Sequence, residues 1–256
     1  MNFVINADDF GMDEDTSKAI IQAFEENRIN RTTAMVNMDN FEESYKESIR
    51  KDFFSAVGLH LNLTKGVPLT DKIRECDLFC NQDGTFNGRC MQSSTNRLLP
   101  LSTNIKNAVY EEIDAQFKKY MDYYGQKGAC HVDSHHHVHK NLNILPLCLE
   151  IAKKYGFTSI RFAKTSGSLI NCYYNRIVNY SIKKRVKLYY ELFDSVSDYK
   201  VRCDKHKPLC FFEVECHPKV NGGILYDGEE QLPLLEYYSR DSAKDSIEDN
   251  RDKKMG

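Results

Sequence analysis

No tryptophan occurs in this chain, no two of its nine cysteines are spaced Cys-x-x-Cys, and no apolar run approaches the ~18 residues a membrane-spanning helix needs. Without paired knuckles, a zinc-ribbon reading of Cys76, Cys80 and Cys90 is weak. Residues 1–9 carry neither the basic segment nor the apolar core of a secretory leader, so the cysteines read as reduced thiols of a cytoplasmic protein. Lys and Arg (35) nearly balance Asp and Glu (37) with no long basic run, so neither a nucleic acid nor a membrane is an expected partner. Internal repeats and linkers are also missing, which favours one domain over residues 1–238. The nearly all-polar stretch 239–256 reads as a disordered tail.

What is present is an alternation of short β-rich runs with longer amphipathic ones. Phe3–Ala7 reads as a strand ending at Asp8-Asp9, and Asp13 or Asp15 can cap a helix over about 17–28. Thr32–Val36 is strand-like, and a helix is expected near 42–51. Ala56–Thr64 alternates, with Val57, Leu59, Leu61 and Leu63 on one side and His60 and Asn62 aimed together on the other. Residues 66–103 lack periodicity and read as a long excursion with turns at Asp83-Gly84 and Asn87-Gly88. Helices are expected over about 105–124, 143–155 and 174–193, and strands before His135, at 158–163 and at 209–215. Repeated strand–helix units imply a mainly parallel sheet or barrel.

Five of the eight histidines fall within ten residues, Cys130–His139. Imidazole is both a metal ligand and a proton-transfer group near neutral pH. His135 and His139 are four apart and share a face in either an extended or a helical segment. Asp8-Asp9, His60, His135 and His217-Pro218 each sit at or near a strand end, where parallel α/β folds form their sites. Two histidines and a carboxylate suit a divalent ion with open positions, and a second carboxylate can serve as base. Arg161 lies within a strand, where burial demands a carboxylate partner; Asp8 would suit it.

Four stretches in order resemble the motifs of the YdjC-like carbohydrate deacetylases, a family that includes the chitooligosaccharide deacetylases. They are Asn6-Ala7-Asp8-Asp9-Phe10-Gly11, Gly58 to Thr64, His131 to His139, and Glu213-Val214-Glu215-Cys216-His217-Pro218. The resemblance implies a single-domain deformed (β/α) barrel of the polysaccharide-deacetylase type, a homodimer, and removal of the acetyl group from an N-acetylated amino sugar or chitooligosaccharide. It implies magnesium held by Asp9, His60 and His135, with His139 as a further candidate ligand and Asp8 as base. Two imidazoles suit zinc or cobalt better on chemical grounds. By motif position His217 becomes the candidate acid for the leaving amine, with Arg161 orienting Asp8. Family members continue past Cys-His-Pro into a closing segment, whereas here the apolar pattern fades after 232–238. Two rival readings are a barrel phosphoesterase, for which no N-terminal His-x-His is present, and a non-catalytic metal- or sugar-binding protein of the same fold.

Overall fold

The computed structural model describes residues 3–92, 96, 98, 100–164, 168–185, 188–189, 192–195, 197–198 and 212–234. Its central sheet contains β1 (Phe3–Phe10), β2 (Arg31–Ala34), β3 (Val57–Leu61), β4 (His131–Ser134), β5 (Ser159–Ile160), β6 (Leu188–Tyr189), β7 (Leu192–Asp194) and β8 (Phe212–Cys216). The spatial order is β6-β5-β4-β3-β2-β1-β8-β7, and every pairing in it is parallel. That is the order of a curled, barrel-like sheet, with β6 and β7 at its two edges among the described residues. The strand-order expectation of an α/β fold built around a deformed barrel fits.

A side-chain contact demonstrates the curl. Five strand spacings separate β5 from β8, about 24 Å in a flat sheet. Yet Arg161, just after β5, places its Nε 2.8 Å from Oε1 of Glu213 on β8. Only a sheet wrapped around its own interior permits that.

Helices cover the outside. Glu14–Glu25 starts at Asp13, whose carboxylate accepts from Thr16 N at 2.8 Å, so Asp8 and Asp9 are free of capping duty. Phe41–Arg50, Thr103–Tyr123, Leu145–Lys154 and Leu169–Lys183 follow. Val109, Ile113, Phe117 and Tyr120 of the Thr103–Tyr123 helix are all buried, as their spacing predicts. The 66–103 excursion folds back on itself through Phe86 N to Gly66 O (2.9 Å) and buries Ile73, Phe79 and Phe86. Among the described residues no helix is long and apolar enough to cross a membrane.

Three expectations change. The first strand does not stop at Ala7; it continues through Asp8, Asp9 and Phe10, with a register shift against β2 between Ala7 and Phe10. The helix expected over 174–193 runs instead from Leu169 to Lys183, and the Leu/Tyr-rich residues after it join the sheet as β6 and β7. There, pairing with β5 and β8 outweighs local helical pattern. Beyond His217 lies an unexpected hairpin, β9 (Pro218–Asn221) and β10 (Ile224–Asp227), turned by Gly222 and Gly223 with φ of 58° and 82°. The tail 239–256 and residues 209–211 of the last expected strand lie outside the described residues.

Gly58 sets the closeness of β3 and β4. A Cβ there would lie 2.7 Å from His131 O and 3.1 Å from Thr33 Cγ2. Gly58→Ala should therefore cost about 1–3 kcal/mol, read as a lower urea midpoint at unchanged slope; an unchanged midpoint would show that the strands can part freely.

Candidate active site

Adjacent residues on a strand point to opposite faces, so Asp8 and Asp9 should not share a site. They do, because Asp9 adopts a left-handed conformation (φ 73°) at the irregularity in β1. Aspartate tolerates that region, and a bulge re-aims a side chain in this way. Asp9 Oδ1 lies 2.8 Å from His135 Nδ1 and 3.2 Å from His60 Nε2. Burial alone pushes the Asp9 carboxyl up, but the hydrogen bonds to His135 and His60 outweigh it and hold the group well below the carboxylate range.

His60 is fixed from behind. Its Nδ1 sits 2.7 Å from Asp133 Oδ1 and 3.1 Å from Thr33 Oγ1, and Thr33 also donates to Asp133 Oδ2 at 2.9 Å. This leaves Nε2 for the Asp9 side. Burial pulls the imidazole pKa down, but Asp133 and Asp8 overcome it and raise it well above the ordinary value.

Asp8 is held differently. Both its oxygens accept from Arg161, at 2.6 Å each, and Asn6 Nδ2 donates to Oδ1 at 2.8 Å. Arg161 is fully buried and also pairs with Asp133 (2.6 Å), Glu213 (2.8 Å) and Glu215 (3.2 Å). Burial raises the Asp8 pKa, but Arg161 more than compensates and keeps it ionised. His217 follows β8 and is pinned by its hairpin: its N donates to Asp227 Oδ2 at 2.7 Å, and Gly228 N donates to its carbonyl at 2.8 Å. Burial lowers its pKa, yet Asp8, Asp9 and Glu215 together raise it.

Among the described residues, three groups bring ligand atoms within 4.8 Å of one another: Asp9/His60/His135, Asp8/His60/Asp133 and His131/Asp133/Glu213. The second and third lie against the Arg161 guanidinium, which already neutralises Asp8, Asp133 and Glu213. The first has no such cation. Its donor set of two imidazoles and a carboxylate, with His60 anchored on a carboxylate through its other nitrogen, fits a divalent ion. His139 belongs to none of these groups. His136 and His137 are left-handed (φ 51° and 54°), which breaks the shared face that the spacing suggests. His139 is buried, its Nδ1 2.5 Å from Ser134 Oγ.

The family described as YdjC-like protein matches residues 2–220. The chain belongs to the YdjC-like family. It is 32% identical over 158 residues to a protein of Brevibacillus brevis (strain 47) named carbohydrate deacetylase, covering 60% of this chain and 57% of that one. Over 153 residues it is 32% identical to an Enterobacter sp. (strain 638) protein named chitooligosaccharide deacetylase, covering 60% and 56%. The matched stretch thus spans just over half the length of either relative. A solved structure from Enterococcus faecalis V583, named for cellobiose-phosphate cleavage, superposes with a TM-score of 0.70 over 96% of this chain and 94% of its own. At 24% identity it speaks for the fold alone.

In this YdjC-like chain the structure brings Asp8, Asp9, His60, His135 and Arg161 together, with His217 alongside. Sequence reasoning missed Asn6, Thr33, Asp133, Glu213 and Glu215, which fix the others. The signal was present as period-two spacing: Asn6/Asp8, His131/Asp133 and Glu213/Glu215 each line one face of a strand, with His135 and His217 just beyond the ends of the last two. Acidic residues on the inner face of a buried strand call for a buried cation, and Arg161 is that cation.

Glu213 carries an acid-lability. Burial raises its pKa, but Arg31 and Arg161 outweigh this and bring it from 4.5 down to about 2. A carboxyl depressed on folding stabilises fully above its unfolded pKa and stops stabilising as pH falls through its folded one. Between about pH 5 and pH 2 the wild-type urea midpoint should fall. Glu213→Gln should be less stable at neutral pH by about 3–5 kcal/mol and show a shallower fall; parallel pH profiles would exclude this role for Glu213.

Proposed function

We propose that this chain is a hydrolase that removes the acetyl group from an N-acetylated amino sugar or chitooligosaccharide, using a divalent ion held by Asp9, His60 and His135. The observation that carries the reading is the division of the aspartate pair. Asp9 is committed to two imidazoles, while Asp8 beside it is committed to a guanidinium. A structural pair would have no need of such different partners.

A divalent ion supplies Lewis acidity, polarising the acetyl carbonyl and acidifying water, which lets a carboxylate as weakly basic as Asp8 act as proton acceptor. The chain's own residues do the rest. Arg161 and Asn6 fix the Asp8 carboxylate in one orientation, so its basic lone pair is presented without rotamer search. Asp8 takes the proton of the attacking water. His217, whose pKa Asp8, Asp9 and Glu215 raise, delivers a proton to the sugar nitrogen as the C–N bond breaks. Acetate and the free amine are the products.

The donor set favours zinc or cobalt, and magnesium belongs in the same panel. The test is acetate release from N-acetylated mono- and oligosaccharides after chelation and re-addition of each ion. Asp9→Ala and His135→Ala should lose both ion and turnover. Asp8→Asn should keep the ion, seen by metal analysis, and slow turnover by roughly 10²–10⁴-fold. Near-normal rates in Asp8→Asn would remove Asp8 as base, and silence of the wild type on every N-acetylated sugar with every ion would remove the hydrolase reading.

A further inference from the structure

The helix Leu169–Lys183 buries Val178 and Ile182 and turns its opposite side to solvent. On that side Leu169 is 89% exposed and Ile170 82%, and Tyr173, Ile177 and Tyr180 are exposed as well. At 3.6 residues per turn the five fall within an arc of about 100°. Monomeric proteins rarely leave so continuous an apolar stripe in water.

The stretch of sequence that contains the helix carries charge of one sign. From residue 151 to residue 190 there is no Asp or Glu, although the chain holds 37; the same stretch carries nine Lys or Arg. Arg176, Lys183 and Lys184 fall beside the stripe on the exposed side, and Arg185 follows them in the open. Lys184 Nζ sits 4.5 Å from the centre of the Tyr180 ring.

We propose that this helix face docks on an anionic phospholipid surface. Leucine and isoleucine enter the acyl boundary, tyrosines sit at headgroup depth with one apolar and one wet end, and the lysines meet the lipid phosphates. The helix itself carries no carboxylate to be repelled. A second copy is a poorer occupant, because a two-fold contact through this face sets the same basic rows against each other. The chain's own residues 239–256 are poorer too: five acidic and five basic side chains leave them without the complementary charge. The inner side of the helix is bonded to the site's framework, through Asn179 to Ala163 N and O and through Tyr174 to Lys140 O at 2.6 Å. Docking here would therefore hold the active site in one orientation to the surface. This proposal does not depend on the reaction the site performs.

The test is co-sedimentation of the full chain with phosphatidylcholine vesicles, with and without phosphatidylglycerol. Binding should require phosphatidylglycerol and be released by salt. Ile170→Glu, and separately the pair Lys183→Glu and Lys184→Glu, should each weaken it at least tenfold while thermal unfolding stays as in the wild type. Equal pelleting with both lipids, no pelleting, or binding indifferent to these substitutions overturns the proposal. So does a dimer by light scattering that Ile170→Glu dissociates, since a second copy would then own the stripe.

Discussion

One buried guanidinium organises the interior of this barrel. Arg161 is fully enclosed, and four carboxylates from three strands close on it: Asp8, Asp133, Glu213 and Glu215. Removing a charge from water costs several kcal/mol unless geometry and hydrogen bonds offset it, so the cluster is tolerable only when complete. That constraint ties β1, β4 and β8 to the end of β5, across a space that a flat sheet could not bridge. Curvature of the fold and placement of the site are thus one requirement.

Arg161 also determines which carboxylates remain for chemistry. By engaging Asp8 at both oxygens and Asp133 at one, it leaves Asp133 an oxygen for His60, and His60 a nitrogen for Asp9. The relay Arg161–Asp133–His60–Asp9 explains why neighbours in sequence end in different electrostatic settings. Asp9 reaches the group only through a left-handed backbone, a local cost of the kind found where function overrides regular pairing. His135 completes the group from the turn just after β4, with the His136 ring stacked on it, centroids 4.1 Å apart.

Most helices followed from sequence periodicity, because each buries one apolar face and the period reports that face directly; the inner strands, buried on both faces, showed instead as short β-branched or apolar runs. Asp8, Asp9, His60, His135, Arg161 and His217 could be picked out because unusual residue types stood at strand ends. What the sequence did not disclose was local backbone irregularity. Nothing in the residue spacing shows that His136 and His137 turn left-handed, so His135 and His139 were expected on one face and instead have separate surroundings. The strands at Leu188–Tyr189 and Leu192–Asp194 depend on partners distant in sequence, which a local pattern does not report. Likewise, a near-neutral total charge conceals forty consecutive residues without an acid.

In the proposed reaction Arg161 sets the orientation of Asp8 without holding the ion itself. Arg161→Lys keeps the charge and gives up the two-pronged geometry, which makes it the sharpest probe. Ion affinity by isothermal titration, measured on the same folded sample as acetate release, should stay within about tenfold of wild type while turnover falls by roughly 10²-fold or more. Wild-type turnover in Arg161→Lys, or loss of ion affinity in step with turnover, would contradict the account.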